Sequence, residues 1–148
     1  MTWNNLDRRL WQEEKERAKD LVKTDTDFFA YGSDIDPEAI NIARQSLKRA
    51  GLEHFTSLKV ADLKDFSPTT ERGTLITNPP YGERLLDVAE AKEIYKVMGR
   101  VFEPKHGWSY NIITSDEDFP EYFGRKPDKN RKLYNGMIQC RYYMYFKD

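Results

Sequence analysis

The chain has 148 residues, a length that supports one domain with a buried core. Its 24 basic and 25 acidic residues give a net charge of −1, which excludes a global positive field as the means of attracting nucleic acid. One cysteine, Cys140, excludes an intramolecular disulfide, and no apolar run approaches the roughly 20 residues that cross a bilayer. We therefore expect a protein without membrane spans in a reducing compartment, the cytoplasm.

Helices and strands are predicted to alternate along most of the chain. A helix with one apolar stripe is predicted for residues 5–22, and a strand at 28–36 leads into a helix that runs from Pro37 to Ala50 and stops at Gly51. Further strands are predicted at 58–60, 74–77 and 110–114, with a helix at 89–102. A long last strand at 137–146 is expected to pair with the segment near Leu133 as an antiparallel hairpin.

This alternation predicts an α/β fold, with a mostly parallel sheet, helices on both faces and an antiparallel edge. Ligands of such sheets bind beyond the carboxyl ends of the strands, where this chain places Asp34, Asp36, Asp62 and Asn78. A carboxylate there can accept hydrogen bonds from both hydroxyls of a ribose, so Asp34 is a candidate ligand of a nucleoside-containing cofactor. Asp36 is equally suited to cap the following helix, and Asp62 is either a ligand of the cofactor's adenine amine or a turn residue.

The string Asn78-Pro79-Pro80-Tyr81 directly follows a predicted strand. The amine of adenine or guanine is a poor nucleophile because its lone pair is delocalised into the ring, so a site that methylates it must accept its N–H bonds and aim the lone pair at the donor methyl group. The Asn78 amide oxygen and the Pro79 carbonyl are suitable acceptors, and the two prolines, Pro79 and Pro80, stiffen the loop. Tyr81 offers a ring on which an unstacked base can lie. No metal is required, and the alternative is a loop of this composition without a catalytic role.

Together with two upstream strings, Gly-x-Asp-Ile-Asp-Pro at 32–37 and Ala-Asp-Leu at 61–63, this loop resembles the amino-methyltransferases of the Rossmann-like class I, which use S-adenosylmethionine (SAM). The longer string at 78–85, with Phe123-Gly124-Arg125-Lys126 and the string at 131–136, is similar to a narrower group. That group is the RNA guanine-N2 methyltransferases, which usually carry an N-terminal THUMP domain and are often labelled adenine-specific DNA methylases. The resemblance covers nearly the whole chain.

The resemblance also implies a role for each matched residue. Asp34 would bind the ribose of SAM, Ile35 and Leu63 would flank its adenine, and Asp62 would bind the adenine amine. Asp36 and Asn78 would complete the cofactor contacts. The target base would be received by four residues, Asn78, Pro79, Pro80 and Tyr81.

The implied substrate is guanine N2 in ribosomal or transfer RNA. Methylation of adenine N6 in DNA uses the same loop chemistry and stays open as an alternative. A third alternative is a truncated remnant or a binding module without activity.

The sequence departs from this family at its start. Members have a first strand and a glycine-rich turn that holds the methionine part of SAM, and this chain matches only a partial catalytic domain, with a leading helix at 1–24 and strands two to seven of the family sheet at 27–148. We therefore expect weak SAM binding by the chain alone. Because the first strand is central in the family sheet, we also expect poor folding, direct pairing of its two neighbours, or a homo-oligomer that exchanges a strand.

A basic run at 125–132 lies beside Tyr122, Phe123 and Tyr134 in the sequence. This combination is suited to phosphate contacts and base stacking on RNA, and the alternative is a solvated loop. His54 and His106 lack the spacing of metal ligands, and Cys140 is typical of a small buried residue in a strand. We assign no role to these three.

Overall fold

The computed structural model describes residues 7–23, 25–80 and 88–146. Helices and strands follow one another through these residues, and two single turns of 3₁₀-helix, at Glu53–Phe55 and Leu63–Asp65, flank the second strand. In chain order the helices and strands are α1 (Arg8–Asp20), β1 (Ala30–Asp34), α2 (Pro37–Ala50), β2 (Thr56–Val60), β3 (Gly73–Thr77), α3 (Val88–Val101), β4 (Trp108–Thr114), α4 (Phe119–Phe123), β5 (Lys129–Asn135) and β6 (Ile138–Phe146).

Helix α2 begins and ends where the sequence predicts. The Asp36 side chain accepts a hydrogen bond from the Glu38 backbone N–H at 2.8 Å, and Pro37 occupies the first helical position, where its missing N–H costs nothing. Gly51 ends the helix with φ at 69°, a left-handed conformation that favours glycine. The capping role weighed for Asp36 is therefore present.

The strands form two sheets among the described residues. Strand β1 pairs in parallel with β2, from Ala30 opposite Thr56 to Asp34 opposite Val60. The second sheet has the order β3-β4-β6-β5, in which β3 and β4 are parallel and β6 is antiparallel to both of its neighbours. The predicted α/β class and the antiparallel C-terminal hairpin are confirmed. No strand pairing joins the two sheets among residues 7–23, 25–80 and 88–146, so the expected alternative of direct pairing between β1 and β3 is not present.

Buried side chains are concentrated around the larger sheet. They come from α3, α4, β4 and β6, and Phe102, at the end of α3, stacks on Tyr110 with ring centroids 5.2 Å apart. By contrast, Ile40 is the one buried residue in β1, α2 and β2, and α1 has none. The core cluster consists of Ala91, Tyr95, Met98, Phe102, Tyr110, Ile112, Phe119, Phe123, Tyr143 and Tyr145.

The segment that joins the two sheets is attached to the larger one. Phe66 packs edge-on against Phe102, with ring centroids 5.3 Å apart, and against Trp108 at 6.1 Å. The Thr70 carbonyl accepts hydrogen bonds from Trp108 Nε1 at 2.9 Å and from Lys105 Nζ at 3.0 Å. The chain from Phe66 onward is thus anchored to β4 before β3 begins.

Helix α4 was not predicted, and it makes a close contact that the sequence does not reveal. Gly99 of α3 lies against the backbone of Phe123 at the end of α4, and a Cβ added at Gly99 would collide with the Phe123 carbonyl oxygen. Glycine at this position lets the two helices approach each other.

Replacing Gly99 by alanine is therefore expected to destabilise the protein. At an exposed helical site the same change stabilises by up to about 1 kcal/mol, but here the overpacked contact should lower the free energy of unfolding by about 1–3 kcal/mol. Urea denaturation of the two proteins measures the difference. A stabilised Gly99→Ala variant would show that the helices do not touch at this point.

Candidate active site

Two carboxylates lie where the strands of the smaller sheet end. Asp34 is the last residue of β1, and its Oδ1 accepts a hydrogen bond from the Asp36 backbone N–H at 2.9 Å. Asp62 follows β2 by two residues. Because β1 and β2 are parallel and the Ala61 N–H donates to the Asp34 carbonyl at 2.9 Å, both side chains lie at the same edge of this sheet. The strand-end placement expected for these acids is present.

Asp62 is engaged by a single lysine. Its Oδ1 accepts a hydrogen bond from the Lys64 backbone N–H at 2.9 Å, and its Oδ2 lies 3.0 Å from Lys64 Nζ. The backbone hydrogen bond, and after it the Lys64 ammonium group, lower the pKa of Asp62, while the ion pair raises the pKa of Lys64. Asp62 thus caps the 3₁₀ turn, as the turn alternative predicts, and presents an ionised carboxylate beside it.

The two apolar residues predicted at the cofactor site differ in exposure. Ile35 follows Asp34 and is exposed, so its side chain is available to a ligand at the edge of the β1–β2 sheet. Leu63 is half-buried and packs against the core cluster of the larger sheet. Leu63 therefore has a packing role within the fold that was not predicted, and its contact with the adenine of SAM stays a prediction.

The Asn-Pro-Pro string follows β3 at the carboxyl edge of the larger sheet. Asn78 is exposed, Pro79 is buried and Pro80 is half-buried, so the backbone of the loop is held in the protein while the Asn78 side chain remains accessible. Tyr81, predicted to stack on the target base, lies outside the described residues. The predicted end of β3 at Thr77 is confirmed.

Tyr95 of α3 holds this loop, and its role was not predicted. The Tyr95 hydroxyl donates a hydrogen bond to the Pro80 carbonyl at 3.1 Å and lies 3.4 Å from Thr114 Oγ1. Thr114 Oγ1 in turn accepts a hydrogen bond from the Asp116 N–H at 3.1 Å. Both Tyr95 and Thr114 are fully buried, and burial raises the pKa of the Tyr95 hydroxyl, which stays protonated and able to donate.

Replacing Tyr95 by phenylalanine is expected to leave the fold intact and to loosen the loop. The Pro80 carbonyl loses its donor, and the free energy of unfolding should fall by about 1 kcal/mol. Methyl transfer should slow by up to about tenfold through kcat, with a smaller change in KM for the nucleic acid, because a misplaced acceptor harms the reacting geometry more than binding. Unchanged kcat with the same loss of stability would show that the hydroxyl only supports the core.

The basic run at 125–132 is a solvated loop only in part, because Arg125 is half-buried and the residues from Lys129 belong to a strand. Arg125 is half-buried between the rings of Phe123 and Tyr145, with its guanidinium carbon 4.6 Å and 5.6 Å from the two ring centroids. Its Nη2 donates to the Phe102 carbonyl, and burial lowers its pKa. Arg125 therefore binds the backbone next to the end of α3, and the phosphate contacts predicted for the run as a whole stay a prediction. Residues from Lys129 onward form strand β5 instead, and all of them are exposed.

The predicted site residues thus form two groups. Asp34 and Asp62 share one strand edge, whereas Asn78 and the prolines lie at the end of the other sheet, and no strand pairing joins β1 with β3 in the described part of the chain. Within that part, no helix is long and apolar enough to cross a membrane. No three or more His, Cys, Asp or Glu side chains of the described residues are grouped so as to hold a metal ion.

The strand order and the acids at the strand ends define a Rossmann-like class I methyltransferase fold, and solved methyltransferase structures share it. SMU.472, a provisionally named methyltransferase solved in complex with SAH, superposes with a TM-score of 0.87 at 39% identity, over 99% of this chain and 39% of that protein. A Listeria monocytogenes protein, described by prediction as an N6-adenine-specific DNA methylase, superposes with a TM-score of 0.82 at 35% identity, over 99% of this chain and 38% of that one.

The chain belongs to the family of RMKL-like methyltransferase domains, whose family model matches residues 2–144. YpsC of Bacillus subtilis (strain 168), which has the provisional name of an RNA methyltransferase, is 38% identical over 97% of this chain and 37% of its own length. The ribosomal RNA large subunit methyltransferase K/L of Shewanella amazonensis is 35% identical over 97% of this chain and 21% of its own length. The chain therefore spans well under half of the length of these two relatives.

Proposed function

We propose that this chain forms part of an enzyme that transfers a methyl group from SAM to an exocyclic base amine, guanine N2, in ribosomal or transfer RNA. The observation that carries the proposal is the held loop after β3. Pro79 is buried and the Pro80 carbonyl is bound by Tyr95, so the backbone next to the exposed Asn78 is held in place. The names of the RNA methyltransferase relatives support RNA as the substrate.

The residues at the end of the smaller sheet fit SAM. The Asp34 carboxylate can accept from both ribose hydroxyls, and the ionised Asp62 can accept from the adenine amine beside its Lys64 contacts. The exposed Ile35 side chain offers an apolar surface to the flat adenine ring. SAH in the related SMU.472 supports this choice, since SAH is what SAM becomes after it gives up its methyl group.

SAM, when bound, supplies a methyl group on a positively charged sulfur. The Asn78 amide oxygen and the Pro79 carbonyl accept the two N–H bonds of the base amine, which turns its lone pair out of the ring and toward that methyl group. The amine nitrogen would take that methyl group in a direct transfer that leaves SAH, and the methylated amine would then lose one proton to solvent. Pro79, Pro80 and Tyr95 contribute by keeping the acceptors in place before the base arrives.

Methylation of adenine N6 in DNA is the second candidate. It requires the same two acceptors, and the description of the related Listeria protein favours it. The two candidates differ in the nucleic acid and in the base, which the loop alone does not distinguish.

The test is transfer of tritiated methyl groups from SAM to ribosomal RNA, transfer RNA and DNA, using the longest natural form of the protein that its gene encodes. We expect label in RNA, recovered after digestion as N2-methylguanosine. Label confined to DNA, recovered as N6-methyladenine, would establish the second candidate. Label in neither, by a folded protein that binds SAM, would overturn both.

A further inference from the structure

The hairpin made by β5 and β6 extends beyond the rest of its sheet. Thr114, the last residue of β4, lies opposite Arg141 of β6, and Arg141 lies opposite Lys132 of β5. The next three pairs, from Leu133 opposite Cys140 to Asn135 opposite Ile138, have no β4 partner. At about 3.3 Å per residue, the hairpin projects about 10 Å past the end of β4.

The projection lies on the same side of the sheet as the Asn-Pro-Pro loop. Strand β3 is parallel to β4, with Thr77 opposite Ile112, so Asn78 follows β3 at the level where β4 itself approaches its end. Strand β5 also points in that direction, since it is antiparallel to β6, which is antiparallel to β4. Three strand spacings of about 4.8 Å separate β3 from β5, or about 14 Å, a distance that a few nucleotides span.

The tip is closed by a tight turn. Gly136 and Met137 are the two residues between the last cross-strand pair, and Gly136 has φ at 62°, as the first position of a type II′ hairpin turn requires. The Met137 side chain is 98% exposed and that of Tyr134 is 63% exposed. The turn sets the register of the two strands, so both exposed residues lie at the tip of the paired hairpin.

The hairpin is positively charged within a nearly neutral protein. Residues 129–146 contain Lys129, Arg131, Lys132 and Arg141 and no acidic residue, whereas the whole chain has a net charge of −1. Arg141 is paired with Glu117 at 3.2 Å, but no acid of the described residues pairs with the three β5 cations. Lys132 lies directly opposite Arg141, and because Glu117 already pairs with Arg141, the positive charge that no acid of the described residues meets on this face is that of Lys132.

An aromatic ring completes this surface. Lys132 Nζ lies 5.5 Å from the centroid of the Tyr134 ring, on the face of the hairpin that also carries Arg141. A cation next to an exposed ring is the combination that binds a single nucleic-acid strand, since the ring stacks on a base and the cation meets the phosphate. Edge-strand lysines also discourage sheet-to-sheet pairing, but that role requires neither the exposed ring nor the position at the end of the sheet.

We propose that the projecting hairpin tip, with Lys132 and Tyr134, binds single-stranded RNA next to the base held at Asn78. RNA is chosen over a protein partner because the tip offers unpaired cations beside a stacking surface. The proposal rests on the proposed function for the identity of the substrate, but it assigns a separate surface to hold the strand.

The test is fluorescence anisotropy of a labelled single-stranded RNA oligonucleotide with the 148-residue chain. Tyr134→Ala should weaken binding about fivefold or more, as loss of one stacked base predicts, whereas Tyr134→Phe should bind nearly as wild type. Lys132→Gln should lower the slope of log affinity against log salt by about 0.7. The matched control is Lys48→Gln, an exposed lysine of α2 that lies outside the hairpin and the basic run, which should change neither affinity nor slope. Circular dichroism checks the fold of each variant.

The proposal would be overturned if the wild type, Tyr134→Ala and Lys132→Gln bound the RNA equally. It would also be overturned if the two variants lost affinity for duplex DNA but not for single-stranded RNA. Methyl transfer separates this failure from failure of the proposed function. If RNA is methylated and neither variant raises KM, the hairpin assignment is wrong and the function stands. If both variants lose RNA binding but no RNA is methylated, the hairpin assignment stands and the function is wrong.

Discussion

Replacing Asn78 by alanine is expected to reduce methyl transfer by about 100- to 1,000-fold. The amide oxygen is the side-chain acceptor that would orient the target amine, and loss of one preorganised transition-state partner costs about 2.7–4 kcal/mol. Pro79 and Pro80 stay in place in this variant, so the backbone of the loop should not move. The rate is measured as tritium incorporated into RNA from SAM, under single-turnover conditions.

Two controls make this result specific. SAM affinity, measured by calorimetry, should change less than the transfer rate, because Asp34 and Asp62 are unaltered. Asn41→Ala makes the same chemical change on the exposed face of α2 and should leave transfer unchanged. If Asn78→Ala retained a rate within about tenfold, worth about 1.4 kcal/mol, then Asn78 would not orient the amine.

Hydrogen exchange is expected to divide the chain into two parts of very different stability. In residues 30–60 the one buried side chain is Ile40, and among the residues that the structure describes β1 has a strand partner on one side only. Amide protons there should exchange with opening free energies of no more than about 1–2 kcal/mol, whereas those of β4, β6 and α3 should approach the global free energy of unfolding, about 5 kcal/mol or more. Native-state exchange monitored by NMR or mass spectrometry measures both.

The concentration dependence of exchange tests what covers the free edge of β1. If a second copy lends a strand, protection of residues 30–60 should rise with protein concentration, and sedimentation should show a dimer or larger species. If the chain stays monomeric, exchange there should remain fast at all concentrations. Slow, uniform exchange in a dilute monomer would contradict our expectation, because unpaired strand edges should not be protected.

Local signals predicted much of the fold. Asp36, Pro37 and Gly51 fix both ends of α2 through interactions within a few residues, so they are visible in sequence. The Asn-Pro-Pro string ends β3, since proline cannot donate to a ladder. The strand ends that carry Asp34 and Asp62 follow from the same reasoning, because the side-chain chemistry and the end of each strand are both encoded locally.

The remaining features depend on contacts between distant segments. Tyr95 fits the apolar stripe of α3 with Ala91 and Met98, and nothing in that stripe distinguishes a core residue from one whose hydroxyl holds Pro80. Arg125 stands in a basic run, but its half-buried position depends on Tyr145, twenty residues later. Helix α4 has five residues, too few for a helical period to show.

The hydrogen bonds to the Thr70 carbonyl lie close to the boundary between the two parts of the chain that hydrogen exchange should distinguish. Since Leu63 and Phe66 pack against the core of the larger sheet and the Thr70 carbonyl is bound to Lys105 and Trp108, a protease should cut the chain before Leu63 and leave the part that carries Asn78 intact. Asp34 and Asp62, the two acids proposed to hold SAM, would then belong to the part of the chain that unfolds first. SAM would bind this part when it is folded and not when it is open. Binding of SAM would therefore raise the free energy needed to unfold residues 30–62.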